Sequence, residues 1–178
     1  FGYTETPSSL TDIFIERIKE NFDWKIDKDW IVWVPGGVVG LNIACKTVLA
    51  PGEIAMVPSP VYPPFTEAPE NMERGFVKTH LNDNKGRLEF DMEAVKTLLT
   101  EDTKLFFLCN PQNPGGTVFN KEELTEISRI CEERNIIVCS DEIHSDLILD
   151  EREKHIPFAS LNKYSKENSI TIMGPCKT

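Results

Sequence analysis

The chain has 178 residues, 40 % of them hydrophobic and 27 % charged, which suits one ordinary domain with its own core. A formal net charge of −10 repels phosphate backbones and argues against nucleic-acid binding, so any phosphate must be gripped locally by backbone N–H groups or a helix end. No apolar run is long enough for a membrane span, and FGYTETPSSL lacks the basic-then-apolar pattern of a secretory signal, so a cytoplasmic location is expected.

Leu10, Ile13, Phe14 and Ile18 recur at helical spacing, with Ser9 and Asp12 as a candidate cap. IVWV at 31–34 reads as a first buried strand, closed by Pro-Gly-Gly. VVGLNIACKTVLA (38–50) suits a helix stopped by Pro51-Gly52. A second strand is expected near 54–57. Prolines break VYPPFTEAPE, leaving room only for a short helix after Pro64. GFVKTHL (75–81) reads as a third strand and NDNKGR as a turn. DMEAVKTLLT (91–100) reads as a helix with Asp91 as N-cap.

KLFFLCN (104–110) is continuously apolar, as a strand covered on both faces should be. Asn120 and Glu123 open KEELTEISRICEER as a capping box, with Leu124, Ile127 and Cys131 as its stripe. IIVCSDEI (136–143) and SITIM (169–173) read as the fifth and sixth strands. Strands alternating with helices predict an α/β fold, a three-layer αβα sandwich on a mostly parallel sheet. In such sheets the ligand sits outside the C-terminal strand ends.

The strand ends carry the chemistry. Gly36, Gly37 and Val38 open a helix whose free N–H groups favour an anion; a tight strand-to-helix turn is the equal alternative. Tyr62 follows the second strand, as a turn anchor or as a face for an aromatic ligand. Two Asn-Pro steps, the second at Asn113, stiffen the loop after the fourth strand. Asp141 ends an apolar run, and a buried carboxylate needs a cation or hydrogen-bond donors. His144 lies three residues on. Lys177 follows the sixth strand, where a solvated tail would be the ordinary explanation.

Cysteines at 45, 109, 131, 139 and 176 show no C-x-x-C spacing and read as reduced, buried thiols. His80, His144 and His155 lack metal-ligand spacing, so no metal is expected. The imperfect glycine loop, with no acidic residue about twenty positions on, disfavours a nicotinamide-binding domain.

One cofactor uses a phosphate turn, an aromatic, an amide, a buried acid with a nearby imidazole, and a lysine: pyridoxal phosphate. The chain resembles fold-type I pyridoxal-phosphate enzymes, and among them the MalY/PatB group of carbon–sulfur β-lyases within the class I/II aminotransferases. FGYTE, WIVWVPGGVVGLN, PSPVYPPF, LCNPQNPGGTVFNKEEL, VCSDEIHSDLIL, HIPF and GPCKT carry the likeness, in order, along the whole chain. The resemblance implies a β-lyase of the cystathionine type acting on amino acids, or an aminotransferase. It implies Lys177 as the Schiff-base lysine, Asp141 as partner of the pyridine nitrogen, and Asn113 and His144 near the ring hydroxyl. It implies Tyr62 against the ring and Gly36, Gly37 and Val38 around the phosphate. Tyr3 would reach the phosphate of a neighbouring subunit in a homodimer with shared active sites.

Two positions depart from the family: Cys176 stands where Ser is usual, and Thr117 where Arg is common. Family chains are about twice this length. Residues 1–30 are expected as an N-terminal segment and helix, and residues 31–178 as a partial cofactor-binding large domain. The small C-terminal domain, with its carboxylate-gripping arginine, is not within the sequence. A chain of these residues alone would be a catalytically incomplete fragment.

Overall fold

The structure, a computed structural model, describes residues 5–177. Two compact units divide the chain after Pro35. In the first, α1 spans Ser8–Phe22 and buries Ile18. Pro7 takes the N-cap position without a side-chain bond, so the expected Ser9–Asp12 cap does not form. Asp23 closes the helix in the left-handed region, at φ 50°.

Residues 31–34 are not a strand, contrary to the sequence expectation. Val32 is 77 % exposed, and the Trp33 ring meets Phe14 edge-on at 6.0 Å. A short apolar run becomes a strand only where another strand offers its ladder, and among the described residues none pairs with this one.

The second unit is built on a six-stranded sheet. Its elements are α2 (Gly37–Val48), β1 (Ile54–Ser59), α3 (Pro64–Asn71), β2 (Gly75–Asn84), β3 (Arg87–Phe90), α4 (Met92–Leu98), β4 (Thr103–Cys109), α5 (Lys121–Arg134), β5 (Ile137–Asp141), α6 (Lys163–Glu167) and β6 (Ser169–Ile172). The spatial order is β3-β2-β1-β4-β5-β6. Every pairing is parallel except β2 with β3.

Here NDNKGR is mostly strand rather than turn. Only Lys85 and Gly86 turn, both at positive φ (55° and 89°), as a two-residue hairpin requires. Asp83 Oδ1 accepts the Gly86 N–H at 2.7 Å. The polar residues 82–84 are exposed, so no apolar alternation betrays their pairing with β3.

β4 shows why the sheet has two covered faces. Leu105, Phe107 and Cys109 pack with Leu41, Cys45 and Phe65 under α2 and α3. Phe106 and Leu108 point the other way, toward Val95, Leu124 and Ile127 of α4 and α5. Phe65, Phe106 and Phe107 are fully buried, each contributing about 1.5–3 kcal/mol by removal from water. The helices start where their caps do. Asp91 accepts the Glu93 and Ala94 N–H groups, and Asn120 and Glu123 form the capping box.

Candidate functional site

The C-terminal edge of the parallel sheet is a row of residues in register. Cys109 of β4 pairs with Asp141 of β5, and Asp141 pairs with Ile172 of β6. The strand order turns back between β1 and β4, the place where open α/β sheets leave a crevice. Two loops flank it, one after Ser59 and one after Cys109. Gln112 joins them: its Nε2 donates to the Pro60 carbonyl at 2.6 Å, and its Oε1 accepts the Gly115 N–H at 2.5 Å. The Ser59-Pro60, Asn110-Pro111 and Asn113-Pro114 peptides are cis.

The β2–β3 hairpin supports the same loop. A Cβ on Gly115 would crowd Leu88 Cδ1 and Gln112 Oε1, so a side chain there would force Leu88 or Gln112 to shift. Thr117, at the position where Arg is common, is buried and accepts the Leu88 N–H on its hydroxyl at 3.0 Å. Asn113 is thereby set on a loop tied to both β1 and β3. It is half-buried.

Gly36, Gly37 and Val38 form the start of α2. No side chain caps this end, so its first-turn N–H groups lack the usual acceptor. Gly37 and Gly40 let the helix lie close over Ile172: a Cβ at Gly40 would be 3.1 Å from Ile172 Cδ1. The positive end of the helix dipole therefore sits one strand away from Asp141.

Asp141 is 7 % exposed. Its Oδ1 accepts the Ile143 N–H at 3.1 Å, and among the described residues no cation pairs with it. Burial pushes its carboxyl up to about 6, and the adjacent Glu142 charge adds to the rise. A buried acid in this state accommodates a cationic ligand group.

Lys177 lies on a 3-10 turn, Pro175–Lys177, beyond the end of β6 rather than on the strand itself. It is exposed, as is Cys176, whereas Cys45, Cys109, Cys131 and Cys139 are buried. Burial first, and the Lys177 charge second, hold the His144 imidazole below its ordinary value. Those two side chains are therefore within electrostatic reach of one another.

Tyr62 follows β1 and is 43 % exposed; among the described residues its ring makes no aromatic contact. Tyr3 lies outside the described residues. A cleft of about 550 Å³ is lined by Asn113 and His144 together with Leu147, Leu149 and Asp150. Asp141, Gly37, Tyr62 and Lys177 do not line it, so the cleft opens beside the strand-end row and not over it.

The sequence expectation omitted Gln112, Glu142 and His155. Gln112 is flanked by the two Asn-Pro steps, which was the available signal. The Glu142 carboxylate faces the opposite side of the sheet from Asp141. It accepts from Ser140 Oγ at 2.9 Å and the Phe158 N–H at 2.9 Å, and meets His155 Nε2 at 2.7 Å.

Comparison with known proteins bears on this arrangement. Residues 4–174 match the profile of the family "Aminotransferase class I and II". The chain is 36 % identical to Cystathionine beta-lyase PatB of Bacillus subtilis (strain 168) over 179 aligned positions, covering 100 % of this chain and 46 % of that one. It thus spans about half the length of the curated relatives it matches. The crystal structure of OvoB superposes at TM-score 0.96 with 40 % identity, covering 99 % of this chain and 47 % of the other. Cystalysin from Treponema denticola, in a crystal structure containing pyridoxal 5'-phosphate, gives a TM-score of 0.94 with 30 % identity over 99 % of this chain and 45 % of that one. The chain belongs to the class I and II aminotransferase family.

Proposed function

We propose that residues 31–178 are part of the cofactor-binding domain of a pyridoxal-phosphate enzyme acting on amino acids, and that the enzyme is a carbon–sulfur β-lyase of the cystathionine type. The observation that supports it best is Asp141, a buried carboxylate without a cation among the described residues, set beside an uncapped helix start. The residues fit the group. The first-turn N–H groups at Gly36, Gly37 and Val38 hold its phosphate. Asp141 would hold the protonated pyridine nitrogen, Asn113 and His144 would serve the ring hydroxyl, and Tyr62 would cover the ring.

When bound, the cofactor supplies a sink for the electron pair left at the substrate α-carbon. Lys177 carries the amine that holds the cofactor and then takes the α-proton. Asp141 would be held anionic by that ring cation and would keep the nitrogen protonated. In the lyase the substrate sulfur leaves from the β-carbon as thiolate. In an aminotransferase, the second reading and the one the family description favours, the carbon–sulfur bond would stay intact and Lys177 would redeliver the proton. The same residues serve both up to that branch.

The partners proposed are a small amino acid and a second copy of the chain, with Tyr3 reaching the neighbouring phosphate. A cytoplasmic location accords with the absence, among the described residues, of a helix long and apolar enough to cross a membrane. The test is to load the chain with pyridoxal phosphate and supply cystathionine or cystine. Pyruvate release supports the lyase. Amino transfer to a keto acid without pyruvate identifies the aminotransferase, and a chain that takes up no pyridoxal phosphate removes both.

A further inference from the structure

We infer that His155 and Glu142 are a positioning pair that fixes the end of β5 from the face opposite the ligand, and so aims the Asp141 carboxylate. The inference rests on the cofactor role of Asp141 proposed above. Both side chains of the pair are wholly buried, with 2.7 Å between His155 Nε2 and Glu142 Oε2. One hydrogen bond joins the two, its direction set by the His155 tautomer.

Side chains alternate along β5. Asp141 shares its face with Cys139, under α2. Glu142 turns to the other face, where Phe158 packs in the second core. The two neighbouring acids therefore have different tasks. Asp141 has one backbone donor, from Ile143. Glu142 has both oxygens occupied, by Ser140 and Phe158 on Oε1 and by His155 on Oε2.

The backbone between them is also gripped. The Asp141 carbonyl accepts the Asn110 N–H at 3.0 Å, and the Glu142 N–H donates to the Ile172 carbonyl at 2.8 Å. Neighbouring strands hold the peptide in the plane of the sheet, and the Glu142 side chain anchors it from the opposite face. Losing the His155 contact leaves a buried carboxylate short of a donor, which costs more than the bond itself was worth. The cheapest relief is for Glu142 to swing toward water, and that movement twists the Asp141 backbone. A pre-set acid needs such outer support to keep its direction. This also assigns a task to the HIPF stretch (155–158), whose first residue is the imidazole and whose last is the Phe158 N–H.

The test uses the full chain with His155→Leu and His155→Gln, because glutamine keeps an N–H donor near the Nε2 position. Amide exchange is followed at Ile143 in the cofactor-free chain. His155→Leu is expected to speed it by about tenfold, and His155→Gln to restore most of the protection. Pyridoxal-phosphate affinity is then measured in native and Asp141→Ala backgrounds. His155→Leu should weaken it by about tenfold only where Asp141 is present. Native exchange at Ile143 together with a lowered melting temperature would show a plain core role and overturn the inference. So would an equal loss of affinity in both backgrounds. If the native chain takes up no pyridoxal phosphate, the proposed function falls, and the Ile143 exchange alone decides the positioning pair.

Discussion

Gln112 donates to the Pro60 carbonyl at 2.6 Å, fastening the loop after β4 to the loop after β1 at the point where the strand order turns back. Gln112 is 3 % exposed and also donates to the Asn113 carbonyl at 3.3 Å. Truncation to alanine would leave the Pro60 carbonyl and the Gly115 N–H without their partner. Gln112→Ala is expected to lower stability by about 1–3 kcal/mol and to weaken pyridoxal-phosphate binding, because Asn113 loses its brace. Urea melts and a cofactor titration check the two effects. A variant with native stability and native affinity would show that the bridge is incidental.

Gly115 tests the support from the hairpin. An alanine there would crowd Leu88 Cδ1 and stand 2.7 Å from Gln112 Oε1. Gly115→Ala is expected to cost about 1–3 kcal/mol by overpacking. Leu88→Ala in the same chain should recover part of that loss by opening the space. If the double variant is as destabilised as the sum of the two single ones, the clash is not between these residues.

Asp141 predicts a pH dependence of definite sign. Burial raises its carboxyl from 3.8 to about 6, so the folded chain holds that proton more tightly than the unfolded one. The stability this group contributes is complete below the unfolded value. It declines as pH rises between about 4 and 6 and is absent above that range. The size of the shift bounds the loss at about 3 kcal/mol. Asp141→Asn removes the charge at nearly constant shape. At pH 7 the cofactor-free variant is expected to be more stable than the native chain by about 1–3 kcal/mol, while losing affinity for the cofactor. Denaturation across a pH series would show the native slope flattened in the variant. A variant less stable than the native chain at pH 7 would contradict the assignment of an uncompensated buried charge.

His144 and Lys177 are coupled through their charges. Burial is the larger cause of the low His144 value, and the Lys177 ammonium is the second. Lys177→Met is therefore expected to raise the His144 value, while burial still holds it below the ordinary imidazole. An NMR titration of the imbedded ring in the cofactor-free chain measures it. An unchanged midpoint would mean that Lys177 points away from the site in solution.

Much of this fold was legible because particular stretches admit one solution. KLFFLCN is too apolar for anything but a doubly covered strand, and Asn120 with Glu123 marks a helix start that the structure reproduces bond for bond. IVWV misled because its apolar run carries no record of whether a partner strand is available. The β2–β3 hairpin went unseen for the converse reason: Asn82, Asp83 and Asn84 at the end of β2 are polar residues whose pairing with β3 is tertiary. At the site, residue types at strand ends pointed to the chemistry, since Asp141, Asn113 and His144 each follow a recognisable apolar strand. The sequence reading singled out Asp141 and gave Glu142 no task. The alternation of faces, and the return of His155 beneath the sheet, show that the two acids lie on opposite faces of the sheet.

The most direct measurement of the cofactor assignment is chemical trapping at Lys177. The chain is incubated with pyridoxal phosphate, reduced with borohydride, digested and analysed by mass spectrometry. The expected result is a visible absorbance band before reduction and a pyridoxyl-phosphate adduct on the peptide ending GPCKT, absent from Lys177→Met. A chain that gives no visible band, or one whose adducts spread over exposed lysines such as Lys85 and Lys121 with Lys177 unmodified, would contradict it.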